Sequence, residues 1–410
     1  MVSINQPLEP VDAVSHNDPY PYYANLAGSG DFFWEPSLGL WVAASAGAAR
    51  EALNSDLCRV RPLSEPVPAL IQGSASGEIF RHLIRMQDGE RHCLGKQAVM
   101  QALTKMDMSR LESRGGDIAA QILADPVRCP PLAFALPAAV LSTELGHSDA
   151  MGLTIAGWIR DFVCCLSPLS DALELERANT AAENLIAVFT ERLTAIDSQP
   201  GGDVLRELRN AMWESNVPGD NVVVANAIGF LSQACEATAG LIGNTLNLLA
   251  MRPDVRESLE RGTVTLSNVI QDVLRFDPPI QNTRRFVVRH GVLRGNQVRS
   301  GQVILIVLAA ANRDPVIFER FEMFDPHLDN CGHFAFGSGV HSCPGRSPAT
   351  TIAATAVETM LSTGRLDHVP DNVDYLISIN ARIPRIPGVT VTAGGPHPET
   401  RSSEREDVTE

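Results

Sequence analysis

The sequence predicts a mainly α fold with a smaller β region, gathered into one domain over residues 1–392. Two observations carry that expectation. Beyond Asp220 runs VVVANAIGFLSQACEATAGLIGNTLNLL, roughly 30 residues apolar on nearly every side, which marks a helix buried through the middle of a protein. Around it, residues 150 to 275 have a helical pattern, whereas short strand-like runs follow Asp277, Pro278 and Pro279. The chain has 410 residues, 44% of them hydrophobic, enough for a large core. Length alone suggests two or three domains, but no linker or internal repeat interrupts the pattern.

The elements follow in order. Trp34 and the segment Leu40 to Ala43 read as strands, and AGAAREAL after them as a short helix. The run from Arg59 to Gly77 contains Pro62, Pro66, Pro68 and Gly73, so it reads as a long structured loop of the kind that binds ligands. SQPGGD, Ser198 to Asp203, is the clearest break in the helical region. The central helix is expected to start after Pro218 and Gly219 and to end near Ala250. VILIVLAA is the clearest later strand, and a final helix is expected from Pro344 to Ser362. Residues 393–410 are polar and charged and read as a disordered tail.

With 48 acidic against 33 basic residues the net charge is -15, which excludes whole-molecule attraction to nucleic acid or anionic membrane. MVSINQPLEPVDAVSHNDPY has no basic start followed by an apolar run, and no stretch of about 18 uncharged apolar residues occurs. Eight scattered cysteines lack the spacing of a disulfide scaffold. A soluble cytoplasmic protein is therefore the expectation.

The segment that carries chemistry is His333-Phe-Ala-Phe-Gly-Ser-Gly-Val-His-Ser-Cys-Pro-Gly345. Gly337, Gly339 and Gly345 permit tight turns. Cys343 precedes a helix that Pro344 is suited to open, so a thiolate there meets unpaired N–H groups and the positive end of a helix dipole. Other readings are weaker. A lone cysteine is most often a small buried apolar residue. No CxxC pair supports zinc, the serine is in no GxSxG frame, and no GK[ST] ending supports a phosphate loop.

FGSGVHSCPG resembles the haem-binding loop of the cytochrome P450 family, FGxGxHxCxG, at every fixed position. The resemblance extends over nearly the whole chain: HxxxR as His92 and Lys96, ANRDP at Ala311 to Pro315, and TRRF containing Arg285. It implies a P450-like fold with the long central helix over haem b. It also implies Cys343 as the iron ligand, where the thiolate pushes electron density toward iron and favours O–O cleavage. Phe336 would pack beside that cysteine and Gly345 close the haem loop. His92, Lys96, Arg285 and His341 would meet the haem propionates.

The sequence departs from the family at three places. ExxR is Asp272-Val-Leu-Arg275, which keeps a structural ion pair with a shorter acid, and Lys96 replaces a forked arginine by a point charge. In the central helix, Gln233-Ala-Cys-Glu-Ala-Thr238 places Glu236 at the family's proton-relay acid and Ala237 at the usual alcohol. Alanine offers no hydrogen bond, and Thr238 lies about 100° further round the helix. A substrate hydroxyl or water would then replace the alcohol; alternatively, Thr238 or Gln233 is recruited through a helix distortion, or peroxide drives the chemistry. The same alignment sets Ser232, Gln233 and Ala237 beside the substrate pocket, with Gln281 and Asn282 approaching from the opposite side. The family then implies insertion of one oxygen atom from O2 into a small organic molecule, by hydroxylation or epoxidation, in secondary metabolism. No flavin, nicotinamide or cluster motif is present, so electrons are expected from a ferredoxin or flavodoxin with its NAD(P)H reductase. Lys96, Lys105, Arg110 and Arg114 are the expected docking patch for such an acidic donor. A non-catalytic haem sensor is the remaining rival.

Overall fold

The computed structural model describes residues 7, 9–28, 30–125, 129–217, 219–328, 332–370 and 372–392. The expected tail, 393–410, lies outside the described residues, as do residues 1–6 and 8 of the N-terminal segment expected to lack a leader, and Pro218.

The chain opens with α1 (Tyr20–Gly28), then the strands β1 (Phe32–Glu35) and β2 (Leu40–Ala43) and the helix α2 (Ala46–Asn54). The Ser45 hydroxyl accepts from the Ala48 N–H and caps α2 where the Ala-rich pattern begins. After β3 (Cys58–Arg59), the proline-rich run is irregular except for one 3-10 turn, until α3 (Ala75–His82) takes the last three residues of the expected loop. A second 3-10 turn, Ile84–Met86, leads into α4 (Gly89–Leu103).

The helical body consists of α5 (Met108–Ala124), α6 (Leu132–Glu144), α7 (Asp149–Cys164), α8 (Ala172–Thr194), α9 (Asp203–Glu214) and α10 (Asp220–Met251). The break in SQPGGD falls between α8 and α9, where Gly201 and Gly202 take φ of 76° and 74°. The apolar α10 packs against α3, α6, α7, α8 and α9. By length and composition α10 is apolar enough to cross a membrane, yet 72% of its most apolar window is buried inside the protein.

Next come α11 (Pro253–Glu260) and α12 (Leu266–Phe276), then β4 (Thr283–Val287), the hairpin β5 (Gly291–Leu293) and β6 (Asn296–Val298), and β7 (Val303–Ile306). The main sheet has the order β1-β2-β7-β4-β3, with β2 and β7 parallel and its other pairs antiparallel. VILIVLAA was expected to be all strand, but only its first half is. Leu308–Ala311 turns into the short helix α13, because the alanines that follow β7 have no further strand partner. The last long helix, α14 (Arg346–Ser362), begins after Pro344 and Gly345, which form a turn. It packs on α5 and α10.

Two glycines of α10 explain how the strand region reaches the helix. A Cβ at Gly240 would lie 2.7 Å from the Arg382 carbonyl oxygen and 2.8 Å from Pro279, and one at Gly243 would lie 2.8 Å from Pro384. Only hydrogen fits at that crossing, and it brings the Pro278–Asn282 segment alongside the middle of α10.

Candidate active site around Cys343

The cysteine loop is held by its own backbone and by the ANRDP segment. The Cys343 N–H donates to the Phe336 carbonyl at 2.8 Å, the Gly337 N–H to Phe334 at 2.8 Å and the Ser342 N–H to Gly339 at 3.0 Å. Gly337 and Gly339 have φ of 69° and 71°, and a Cβ at Gly339 would collide with the Asn54 side chain. Asn312 accepts the Phe334 N–H at 2.6 Å and donates to the Leu274 carbonyl, so it ties the loop to α12. Arg313 donates to the Phe276 carbonyl, and Asp314 accepts the Ala46 N–H at the start of α2. Asn312 thus fastens the loop to α12, while Arg313 and Asp314 tie α12 and α2 to the ANRDP segment itself.

Because α14 begins at Arg346, Pro344 is not the first helical residue, contrary to the expected helix start. What faces the sulfur is the Gly345 N–H, which pulls the Cys343 thiol down together with the charges of Lys96, Arg346 and Arg85. Burial pushes the same thiol up and is the larger effect. The side chain is nonetheless accessible, so it faces a concave space enclosed by protein. Phe336 is half-buried beside it, its ring covered by the Arg346 guanidinium at 4.8 Å.

On α4, Lys96 does something the sequence did not show. Its ammonium donates to the Val340 and Ser342 carbonyls at 2.5 and 2.6 Å, clamping α4 to the cysteine loop. Lysine's three donors suit this cluster of carbonyls, and the expected propionate contact is not where its protons point. His92 is buried and lies against His341, ring centroids 3.9 Å apart. Burial, then the neighbouring His341, lowers His92 to about 4, so it is neutral at pH 7. His341 is 3.2 Å from Asp88, whose other oxygen accepts the Val60 N–H. Asp88 heads α4 without capping it because its oxygens are used this way. Buried Arg285 donates to the Arg284 carbonyl and feels the charge of Asp88. His92, His341, Asp88 and Arg285 therefore form one edge of the site.

Opposite the loop stands α10. It is regular from Asp220 to Met251, so the distortion invoked to recruit Thr238 is absent. Gln233 and Glu236 are exposed and Ala237 half-exposed on one face, and Glu236 and Cys343 are the two charges that act on Arg85. Ser232 and Thr238 are buried, 6% and 1% exposed, and their hydroxyls have no partner among the described residues. At about 100° per residue both turn off the open face. That corrects the placement of Ser232 beside the pocket and of Thr238 among the catalytic groups. Burial raises the Glu236 carboxyl, and Arg85 alone opposes it.

Gln281 and Asn282 are also corrected as pocket groups. Both are buried, and their amide nitrogens donate to the Pro278 and Ile379 carbonyls at 2.7 and 2.8 Å. Their donors serve the crossing of this segment over the C-terminal chain. The expected docking patch is likewise largely compensated: Lys105 faces Glu207 at 3.9 Å, Arg110 faces Glu144 at 3.7 Å, and Arg114 pairs with Asp149 at 2.6 Å. The short ExxR survives as a buried pair. Arg275 grips both Asp272 oxygens at 2.7 and 3.2 Å and donates to the Phe321 and Met323 carbonyls. Asp88 and Arg85 were missed; the former was legible as an acid at a helix start, the latter from no local signal.

Among the described residues, no three His, Cys, Asp or Glu side chains converge, so Cys343 is not one corner of an all-protein metal site. A single accessible sulfur with a backbone N–H directed at it, a histidine and arginine edge, and an apolar helix opposite fit a haem. Fold and donor set together define the haem-thiolate class. A family model for cytochrome P450 matches residues 264–381. The chain is 26% identical to cytochrome P450 monooxygenase PikC of Streptomyces venezuelae, over 84% of this chain and 83% of that one. It is 28% identical to cytochrome P450 107B1 of Saccharopolyspora erythraea, over 61% of each. The crystal structure of CalO2 superposes with a TM-score of 0.77 at 22% identity, covering 92% of this chain and 96% of that one. The chain is thus similar to bacterial cytochrome P450s in sequence and fold, and that similarity supports a haem-dependent monooxygenase of small molecules that takes electrons from a redox partner.

Proposed function

We propose that this enzyme holds haem b through Cys343 and inserts one oxygen atom from O2 into a small organic substrate by hydroxylation or epoxidation. The observation that carries the reading is the accessible Cys343 sulfur, held in its loop opposite Glu236. When bound, the haem supplies the oxygen-activating chemistry. The protein's part is to orient and to move protons. Lys96 and the Gly345 N–H hold the loop and its thiolate. His92, His341 and Arg285 form the propionate edge, with neutral His92 able to donate one N–H. Glu236, whose carboxyl burial raises, carries a proton toward the substrate side; Gln233 on the same face supplies an amide to a water chain. Ala237 leaves the family's alcohol position without a hydroxyl, so substrate or water completes the chain. Electrons come from a ferredoxin or flavodoxin with its NAD(P)H reductase, and the enzyme works in the cytoplasm in secondary metabolism.

The test is the carbonyl spectrum of the dithionite-reduced protein. The wild type is expected to show the strongly red-shifted Soret band of a thiolate ligand, and Cys343→Ala to lose it. A histidine-like spectrum, or an unchanged one in the variant, overturns the assignment. Ala237 favours one second reading, oxidation driven by peroxide; turnover with peroxide that exceeds turnover with reductase and O2 would support it.

A further inference from the structure

Arg85 stands in the 3-10 turn between α3 and α4, and its backbone is locked on both sides. The Ile84 N–H donates to Asn226 on α10 at 3.0 Å, and Asn226 donates to the His82 carbonyl at 2.9 Å. Leu83 lies over Gly229 of α10, where a Cβ would come within 2.8 Å of it and 2.9 Å of Gln233 Nε2. Ile84 also fills the notch at Gly95 of α4. Gly229, Gln233 and Glu236 occupy one stripe of α10, four and three residues apart. The turn is thus pinned at the upper end of the stripe that carries Glu236.

From that position the Arg85 side chain is accessible, yet enclosed by protein. Among the described residues it makes no hydrogen bond and no ion pair. The charges that act on it are Glu236 and Cys343, and Asp88 of the histidine edge is not among them. With its turn pinned against the Gly229, Gln233 and Glu236 stripe, it stands beside the space between α10 and the cysteine loop. Glu236 is beyond ion-pairing distance, and burial favours its neutral form. A guanidinium in such a place has five N–H groups in a planar fork and no protein acceptor for them. A carboxylate is the matching shape, because two parallel N–H···O bonds satisfy the fork and neutralise the charge.

We infer that Arg85 binds a carboxylate group of the substrate, so that the enzyme acts on small organic acids. This rests on the reading that Cys343 carries the haem. The other source of a carboxylate is a haem propionate, and the experiment separates the two.

The probes are a series of imidazol-1-yl alkanoates, from butanoate to decanoate, and the N-alkylimidazoles of matching length. Their imidazole binds the haem iron, and the Soret shift of the holoenzyme reports the dissociation constant. In the wild type, one chain length is expected to bind at least about tenfold more tightly than its uncharged partner, the scale of a charge-assisted hydrogen bond. In Arg85→Met that advantage disappears while the N-alkylimidazoles bind as before, and Arg85→Lys retains part of it. No carboxylate advantage at any length, or one that persists in Arg85→Met, overturns the inference. An Arg85→Met protein that folds but loses its haem assigns Arg85 to a propionate and also overturns it. A wild type without the thiolate carbonyl spectrum fails at Cys343 instead, and takes the inference with it.

Discussion

At the scale of single residues, the proposed proton delivery turns on Ala237 and Glu236. Ala237 is half-exposed while Thr238, one step along, is buried at 1% exposure, so no neighbouring hydroxyl replaces the missing one. Ala237→Thr puts a hydroxyl on the open face. Product formed per NAD(P)H consumed is expected to change, rising if proton delivery is the leak. Unchanged coupling would mean that substrate or water already fills the position. A threonine there can also satisfy its hydroxyl on the carbonyl four residues back, which is why the readout is coupling rather than binding.

Two ties between elements set how firmly the site is held. Lys96 joins α4 to the cysteine loop through two carbonyls, and Lys96→Met leaves both without that donor. The reduced carbonyl complex is expected to convert faster from the thiolate to the inactive spectrum, and apomyoglobin to extract haem faster; an unchanged rate would show that the loop's own hydrogen bonds suffice. Behind the site, the Asp272–Arg275 pair is fully buried and anchors the segment through Phe321, Met323 and the Asp325 N–H. Asp272→Asn leaves Arg275 with an uncompensated buried charge, and a loss of about 3–5 kcal/mol in the urea unfolding free energy is expected. A loss under about 1 kcal/mol would mean that the backbone carbonyls alone hold the arginine.

For the whole molecule, stability is expected to depend on pH through half-buried His147 in the helical body and buried His333 at the head of the cysteine loop. Burial lowers His147 and His333 to about 4, with Arg192 and Arg346 adding to the shift respectively. Both are ordinary in the unfolded chain, near 6.5. Between about 6.5 and 4 the unfolded state therefore binds more protons, so stability falls as pH falls through that window and is fully present above it. Each group contributes a slope of about 1.4 kcal/mol per pH unit at most. Thermal unfolding followed from pH 7 to pH 5 is expected to show a falling Tm, with a shallower fall in His147→Asn; equal slopes would remove His147 from the account.

What could be read from the sequence was local. The cysteine loop is a contiguous segment whose glycines, histidine and cysteine stand at set intervals, and α10 announces itself by an apolar surface with no polar side. The strands after Pro279 were legible for the same reason, although the last alanines of VILIVLAA followed helix propensity once their strand partners ended. The tertiary structure decided which polar groups remain available. Gln281 and Asn282 give their amides to backbone carbonyls distant in sequence, Lys96 grips the loop, and Lys105, Arg110 and Arg114 meet acids on other helices. Among the described residues Arg85 has no hydrogen-bond or ion-pair partner, although its neighbours in sequence give no sign of it. A side chain's hydrogen-bonding capacity is a property of its type, but whether that capacity is already used depends on what long-range packing brings within 3 Å.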